Sequence, residues 1–212
     1  RLGYSWGATS EDVECTGNYC DQGLSLRDFR QATIRENTVV AHSNAAILEG
    51  AKQLLLDGLN WDENHYFVTD GRWGQCSIIE NGTSRGLSFD EWRSKTGLDS
   101  HSTFAKGSPT KLRVMIRPNS SDTRRALLAV LNPDELTEVP VDLSQVFKNG
   151  ESYRIVSAKN YYGEAIASGT YDGQPIRISM KPVAAIVPVG MPEKKLPVTE
   201  PRFAAFVVVA TK

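Results

Sequence analysis

The sequence predicts an all-β fold, and three features of this 212-residue chain predict it. A polar corner centred on Asn recurs in the first third, as Gly17-Asn18-Tyr19-Cys20, Glu36-Asn37-Thr38-Val39-Val40 and Glu63-Asn64-His65-Tyr66-Phe67. Val, Ile, Thr and Tyr are plentiful, and Gly and Pro punctuate the chain every few residues, which is a β composition. Residues 110–212 hold short alternating segments with turn signals between them. Together these predict a stack of parallel β-coils, one short connecting helix and an antiparallel β-sandwich.

The three Asn corners are spaced by 19 and 27 residues. Repeats of roughly 20–50 residues mark stacked units rather than one closed globule. One Asn per coil suits a parallel β-helix, because stacked Asn18, Asn37 and Asn64 side chains can hydrogen-bond to one another and to the backbone at each corner. The competing reading is three unrelated turns, since Asn is common in turns. Residues 1–75 are assigned to the coils. Val13, Cys15 and Tyr19 alternate around the first corner, and Leu24, Leu26, Phe29, Ile34, Val39 and Val40 carry the next coil. Trp61, Tyr66 and Phe67 mark the last one. Residues 44–56 also resemble a helix in composition, but Gly50 in the middle argues against one.

Residues 76–109 read as a connector. Ser88-Phe89-Asp90-Glu91 is a capping box, in which the Ser hydroxyl accepts from the N3 amide and Glu91 reaches back to the Ser88 amide. Gly97 supplies the stop, so a helix is expected over 88–96. Phe89 and Trp92 share its inner face and are expected to cover an end of the coil stack.

Residues 110–212 change character. Strictly alternating Lys111 to Arg117, apolar Ala126 to Leu131, Val139 to Leu143, Tyr153 to Ser157, Ile166 to Tyr171, Ile176 to Met180 and Phe203 to Ala210 read as about seven strands. Pro140 suggests an edge position for the third. Asn149-Gly150, Tyr162-Gly163 and Asp172-Gly173 supply turns, and Pro188, Pro192, Pro197 and Pro201 mark a stiff loop before the last strand. A β-sandwich of Ig-like type is expected here.

Net charge is −1 and charges are well mixed, so nothing asks for nucleic acid or an anionic membrane as partner. No apolar run is long enough to span a membrane. Cys15 and Cys20 flank a turn and are the disulfide candidates, with Cys76 left over. Thiols, free or paired, are favoured over a metal site, because His42 and His65 sit in unrelated turns. No cofactor or metal pattern is read. Arg1 leads into Leu2-Gly3-Tyr4-Ser5-Trp6 as though in mid-coil, which suggests a processed product or the later part of a longer protein.

Several segments resemble the bacterial secreted proteins with right-handed parallel β-helix repeats. Asn60 to Phe67 resembles the end of their β-helix. Phe89-Asp90-Glu91-Trp92 with Thr96 to Ser102 resembles the segment that follows it. Arg117-Pro118-Asn119, Val141 to Ser144, Tyr153, Asn160, Gly163, Gly169-Thr170-Tyr171 and Phe206 to Val208 resemble the appended sandwich. The resemblance implies an extracellular or cell-surface protein associated with polysaccharide. It does not select an activity, because that fold carries lyases, hydrolases, epimerases and adhesins. The chain holds two or three coils where similar enzymes have many, and catalytic residues on central coils would be missing. An upstream set of coils, or another chain, is expected to cover the first coil.

The leading expectation is therefore a non-catalytic binding or structural module. The alternatives are a polysaccharide lyase or glycoside hydrolase with its active face on the coils, and a subunit of a larger extracellular assembly. For an enzyme, Arg27, Asp28, Arg30 and Asp62 are the weak candidates: paired carboxyls serve glycoside hydrolysis, and Arg neutralises a uronate. Arg27, Arg30 and Arg35 in one coil suggest an acidic-sugar groove, or else solvated ion pairs. For a binding module, Trp73 and the Tyr161-Tyr162 pair are the exposed aromatics on which a pyranose ring would stack, while Trp61 and Trp92 read as core. Asp99 with Ser100 or Ser102 lacks the spacing of a Ca²⁺ loop, and His101 is expected to bond locally.

Overall fold

The computed structural model describes residues 2–3, 9–186, 190 and 198–211. Trp6, Pro188, Pro192 and Pro197 lie outside the described residues. The protein is all-β, with one helix among the described residues, and it divides into two compact units, Arg1–Pro109 and Thr110–Lys212.

In the first unit the chain visits three parallel sheets in turn. Strands β1 (Ser10–Thr16), β2 (Tyr19–Asp21) and β3 (Leu24–Arg27) form one circuit. A second is made by β4 (Phe29–Arg35), β5 (Thr38–Ala41) and β6 (Ala46–Gly50), and a third by β7 (Leu59–Asp62), β8 (His65–Val68) and β9 (Cys76–Glu80). Each strand pairs in parallel with the strand three places on, so the sheets contain β1-β4-β7, β2-β5-β8 and β3-β6-β9. Alternation turns Leu24, Leu26, Ala32, Ile34, Val39, Leu48, Trp61, Tyr66 and Ile78 inward to one apolar core. Residues 46–50 form a strand rather than helix, as the Gly50 argument expects.

The stack runs further than the reading of residues 1–75 allows. β9 begins at Cys76, β10 (Thr83–Leu87) turns back antiparallel on it, and β11 (Thr103–Lys106) adds a parallel strand beside β8. The segment 76–109 is thus part of the first unit and not a connector. Between β10 and β11 lies α1 (Phe89–Thr96). Both arms of its capping box form: Glu91 N donates to Ser88 Oγ at 3.2 Å and Ser88 N donates to Glu91 Oε2 at 2.8 Å. Gly97 ends the helix in the left-handed region, φ 72°, where a side chain would be strained. Phe89 and Trp92 enter the core, Phe89 against Tyr66 and Phe104, and Trp92 edge-on to Trp61 at 5.7 Å. No helix of the described residues is long and apolar enough to cross a membrane.

The second unit consists of two antiparallel sheets around one core. Strands β12 (Arg113–Pro118), β13 (Arg125–Leu131), β15 (Ser152–Ser157), β16 (Ala165–Thr170) and β18 (Phe203–Ala210) give the order β12-β13-β18-β15-β16, and β14 (Glu138–Val141) pairs with β17 (Ile176–Ser179). Leu128, Val130, Ile155, Phe206 and Val208 of the larger sheet share a core with Val139, Val141 and Ile178 of the smaller. Pro140 sits in this two-stranded pair, where a missing donor is tolerated.

Candidate functional site

Each Asn corner begins with a residue in the left-handed region: Gly17 at φ 65°, Glu36 at 56° and Glu63 at 58°. For a non-Gly residue this conformation costs about 1–2 kcal/mol, and the Asn that follows offsets it. The Asn37 side chain accepts from Asn18 N at 2.9 Å and donates to Cys15 O at 2.8 Å. Asn64 repeats the pattern one coil on, accepting from Asn37 N at 3.0 Å and donating to Ile34 O at 2.9 Å. The two amides also bond to each other at 3.0 Å, and both side chains are fully buried. Asn18 differs, its amide folding back to Thr16 O at 3.0 Å. The three Asn therefore stand in one column.

The column has a fourth member. Asn64 N donates to Ser102 Oγ at 2.8 Å, so Ser102 occupies the position before β11 that Asn64 occupies before β8. Ser102 Oγ in turn donates to Asp99 Oδ1 at 2.6 Å. Asp99 is fully buried and also receives Trp92 Nε1 at 2.8 Å, Tyr66 OH at 3.0 Å and Asn64 Nδ2 at 3.3 Å. Tyr66 OH accepts from Trp61 Nε1 at 2.7 Å, which commits its own proton to Asp99. Burial pushes the Asp99 carboxyl above the usual carboxylate range, against these four donors, which favour its ionised form. Burial, and then the Asp99 charge, hold the Tyr66 phenol far above its ordinary value, so it stays a donor. The carboxylate thus closes the polar column at one end. The corner at His101-Ser102-Thr103 was the signal for it, with Ser in place of Asn.

The catalytic candidates do not converge. Arg27 Nη1 pairs with Glu49 at 3.3 Å and its Nε faces Asp28 Oδ2 at 3.5 Å, while Asp28 Oδ1 accepts from Ala51 N. Arg30 pairs with Glu11 on the exposed surface, and Arg35 with Glu63 at 2.6 Å. Each guanidinium is matched to its own carboxylate on a neighbouring coil, so the acidic-sugar groove read from Arg27, Arg30 and Arg35 is not formed. The exposed Arg30–Glu11 pair is worth about 0–1 kcal/mol.

Asp62 sits elsewhere, with His101. Its Oδ2 lies 2.6 Å from His101 Nδ1 and accepts from Ser100 Oγ at 3.0 Å, and its Oδ1 accepts from His101 N at 2.7 Å and Glu63 N at 2.8 Å. Ser100 meets the same Nδ1, so the three residues do not form a relay from Ser through both ring nitrogens. Against partial burial, which raises it, the bonds from His101, Glu63 and Ser100 hold the Asp62 carboxyl well below the usual range. A depressed carboxyl stabilises the fold above the unfolded pKa of about 3.9, and that contribution is lost as pH falls through the native value. Asp62→Asn is therefore expected to lower the unfolding midpoint at neutral pH, with the gap to wild type narrowing below about pH 4. Thermal unfolding followed against pH checks this, and a gap that does not change with pH contradicts it.

Among the described residues of the first unit, Trp73 is the exposed large aromatic, 72% exposed. Its side chain is free but its backbone is held. With its amide turned so that the nitrogen faces the two carbonyls, the orientation that satisfies both its polar atoms, Asn44 donates to Trp73 O at 3.1 Å and to Cys76 O at 3.0 Å. Gly86 packs so closely beneath that a Cβ there would collide with the Trp73 carbonyl. Beside it in sequence, Asp70 Oδ2 joins His42 Nε2 at 3.3 Å and Arg72 Nε at 3.5 Å, and His42 Nδ1 meets Thr69 Oγ1 at 3.1 Å. In the second unit Tyr162 is 87% exposed and stands edge-on to half-buried Tyr161 at 5.1 Å. Trp61 and Trp92 are buried.

Cys15, Cys20 and Cys76 are free thiols in this structure, so the Cys15–Cys20 candidate pair stands unbonded in it. Comparison with protein-family models, curated proteins and solved structures found no match to this chain.

Proposed function

We propose that this chain is a non-catalytic, carbohydrate-associated module of a secreted or surface bacterial protein. In this reading the first unit is the C-terminal part of a right-handed parallel β-helix and the second is an Ig-like sandwich. The observation that carries it is Trp73: a large aromatic ring presented to solvent from a backbone fixed by Asn44 and Gly86. The backbone that carries the ring is already ordered, and the exposed ring face suits the C–H face of a pyranose. Asp70 and Arg72, just before it in sequence, and His42, paired with Asp70, carry hydrogen-bonding groups for sugar hydroxyls. The dispersal of Arg27, Asp28, Arg30 and Asp62 into separate internal contacts supports binding over turnover.

Trp73→Ala tests this. Its retention on insoluble polysaccharides is expected to fall at least about tenfold, equivalent to ~1.4 kcal/mol. The unfolding midpoint should stay within the range of an ordinary surface substitution, about ±0.5 kcal/mol. Undiminished retention removes Trp73 from the binding face.

A second reading rests on the Asp62–His101 pair. A carboxylate on Nδ1 orients an imidazole so that its other nitrogen can take a proton, and the His101 side chain is 76% exposed. A polysaccharide lyase would use such a base. His101→Ala then abolishes turnover, whereas the binding reading predicts no turnover to abolish.

A further inference from the structure

We infer that the open edge of β12 is a docking strand for a partner protein, and that it takes an extended partner segment in which apolar residues alternate with Asp or Glu. The second unit is a lopsided sandwich. Five strands stand in one sheet and two in the other, so the smaller sheet cannot cover the whole inner face of the larger. β17 lies beside β16, which leaves β14 turned towards the β12 side. A cleft of about 340 Å³ lies there, lined by Val114 and Ile116 of β12 and by Pro140 and Pro175. Val114 and Ile116 pack against the unit's core yet remain only half-buried. They are the place where a further strand would complete the sandwich.

Among the described residues β12 pairs with β13 alone. Its other edge presents unpaired N–H and C=O groups, a template for strand addition. β14 is the poorer template, because Pro140 has no N–H to give.

Alternation then sets what the added strand carries. Its inward side chains fall into the cleft on Val114 and Ile116 and must be apolar. Asp142 also lines the cleft, where it accepts from Ser144 N at 2.9 Å, Ser144 Oγ at 3.0 Å and Tyr171 OH at 2.9 Å. These bonds, Ser144's first, hold its carboxyl below the usual range, so its charge turns acidic side chains away from the inward side. The outward side chains of the added strand lie beside Arg113 and Arg117, which alternate with Val114 and Ile116. Arg117 is exposed and forms no ion pair among the described residues, and exposed Lys111 adds a further charge just before the strand. Opposite charges on neighbouring strands attract, so Asp or Glu is selected on this face. The same arginines disfavour a second copy of this chain. Two β12 strands meeting antiparallel about Met115 set Arg113 against Arg117.

The probe is a capped peptide of alternating valine and glutamate, about six residues long to match an ordinary strand. It is titrated into the intact chain while amide hydrogen exchange is followed residue by residue. The expected result is slowed exchange in β12 and unchanged exchange in β14. Arg117→Glu, at an exposed position, is expected to weaken binding about fivefold or more. A peptide with lysine in place of glutamate is expected to leave wild-type β12 unprotected and to protect β12 of Arg117→Glu. No protection of β12 by the glutamate peptide overturns the inference, and so does equal protection by both peptides. Protection of β12 that grows with protein concentration in the absence of peptide also overturns it, because it assigns the edge to a second copy.

Discussion

Asp99→Ala is expected to lower the stability of the first unit by about 3–5 kcal/mol, the largest effect of any single substitution considered. The reason is the number of donors left without a partner. Trp92 Nε1, Tyr66 OH, Ser102 Oγ and Asn64 Nδ2 all point at this carboxylate, and all are buried. Removing the acceptor leaves these buried donors without a partner. For a unit of this size the loss corresponds to a fall of roughly 15–25 °C in unfolding midpoint. Asp99→Asn keeps the shape but presents an N–H₂ to a ring of donors, so it too is expected to be clearly destabilised. If the residue merely fills space, Asn at this position melts with the wild type. The pH dependence has the opposite sign to that of Asp62. A carboxyl raised by burial makes the ionised form a cost at neutral pH, so the contribution of Asp99 to stability grows as pH falls through its native value towards the unfolded value of about 3.9.

Asn64→Ala is expected to cost about 2–4 kcal/mol. It strips the Ile34 carbonyl and the Asn37 main-chain amide of their buried partners and removes one donor from Asp99. Because Asn64 and Asp99 belong to one network, the double substitution should fall short of the sum by about 1 kcal/mol or more. Denaturant unfolding of the two single variants and the double variant measures this. Strict additivity would mean that the Asn column and the buried carboxylate act independently.

Much of the fold could be read in advance because its signals are local. The capping box at Ser88 and Glu91 needs only four residues, and the alternation in Arg113 to Arg117 needs five. The Asn corners work at longer range but repeat, and repetition made Asn18, Asn37 and Asn64 visible. The end of the stack was hidden by one substitution in that repeat: Ser102 does the work of an Asn, so residues 76–109 looked like a connector. The sites were less legible because their partners are distant in sequence. Asp62 meets His101 across 39 positions and Tyr66 meets Asp99 across 33, and no local pattern announces either. The Arg cluster shows the converse. Arg27, Arg30 and Arg35 look like a groove in the linear sequence, but Glu49, Glu11 and Glu63 arrive from neighbouring coils to neutralise each one. Exposed Trp73 was legible for a simple reason, since Gly71-Arg72-Trp73-Gly74 offers it no apolar neighbours.

The most direct test of the central claim is to mix the intact protein with a panel of insoluble polysaccharides and measure two quantities on the same samples: protein retained on the solid, and new reducing or unsaturated sugar ends released. The account predicts retention on at least one glycan with no release of ends. Release of ends would contradict it and place catalysis at the Asp62–His101 pair or elsewhere on the coils; neither retention nor release would contradict the carbohydrate assignment itself.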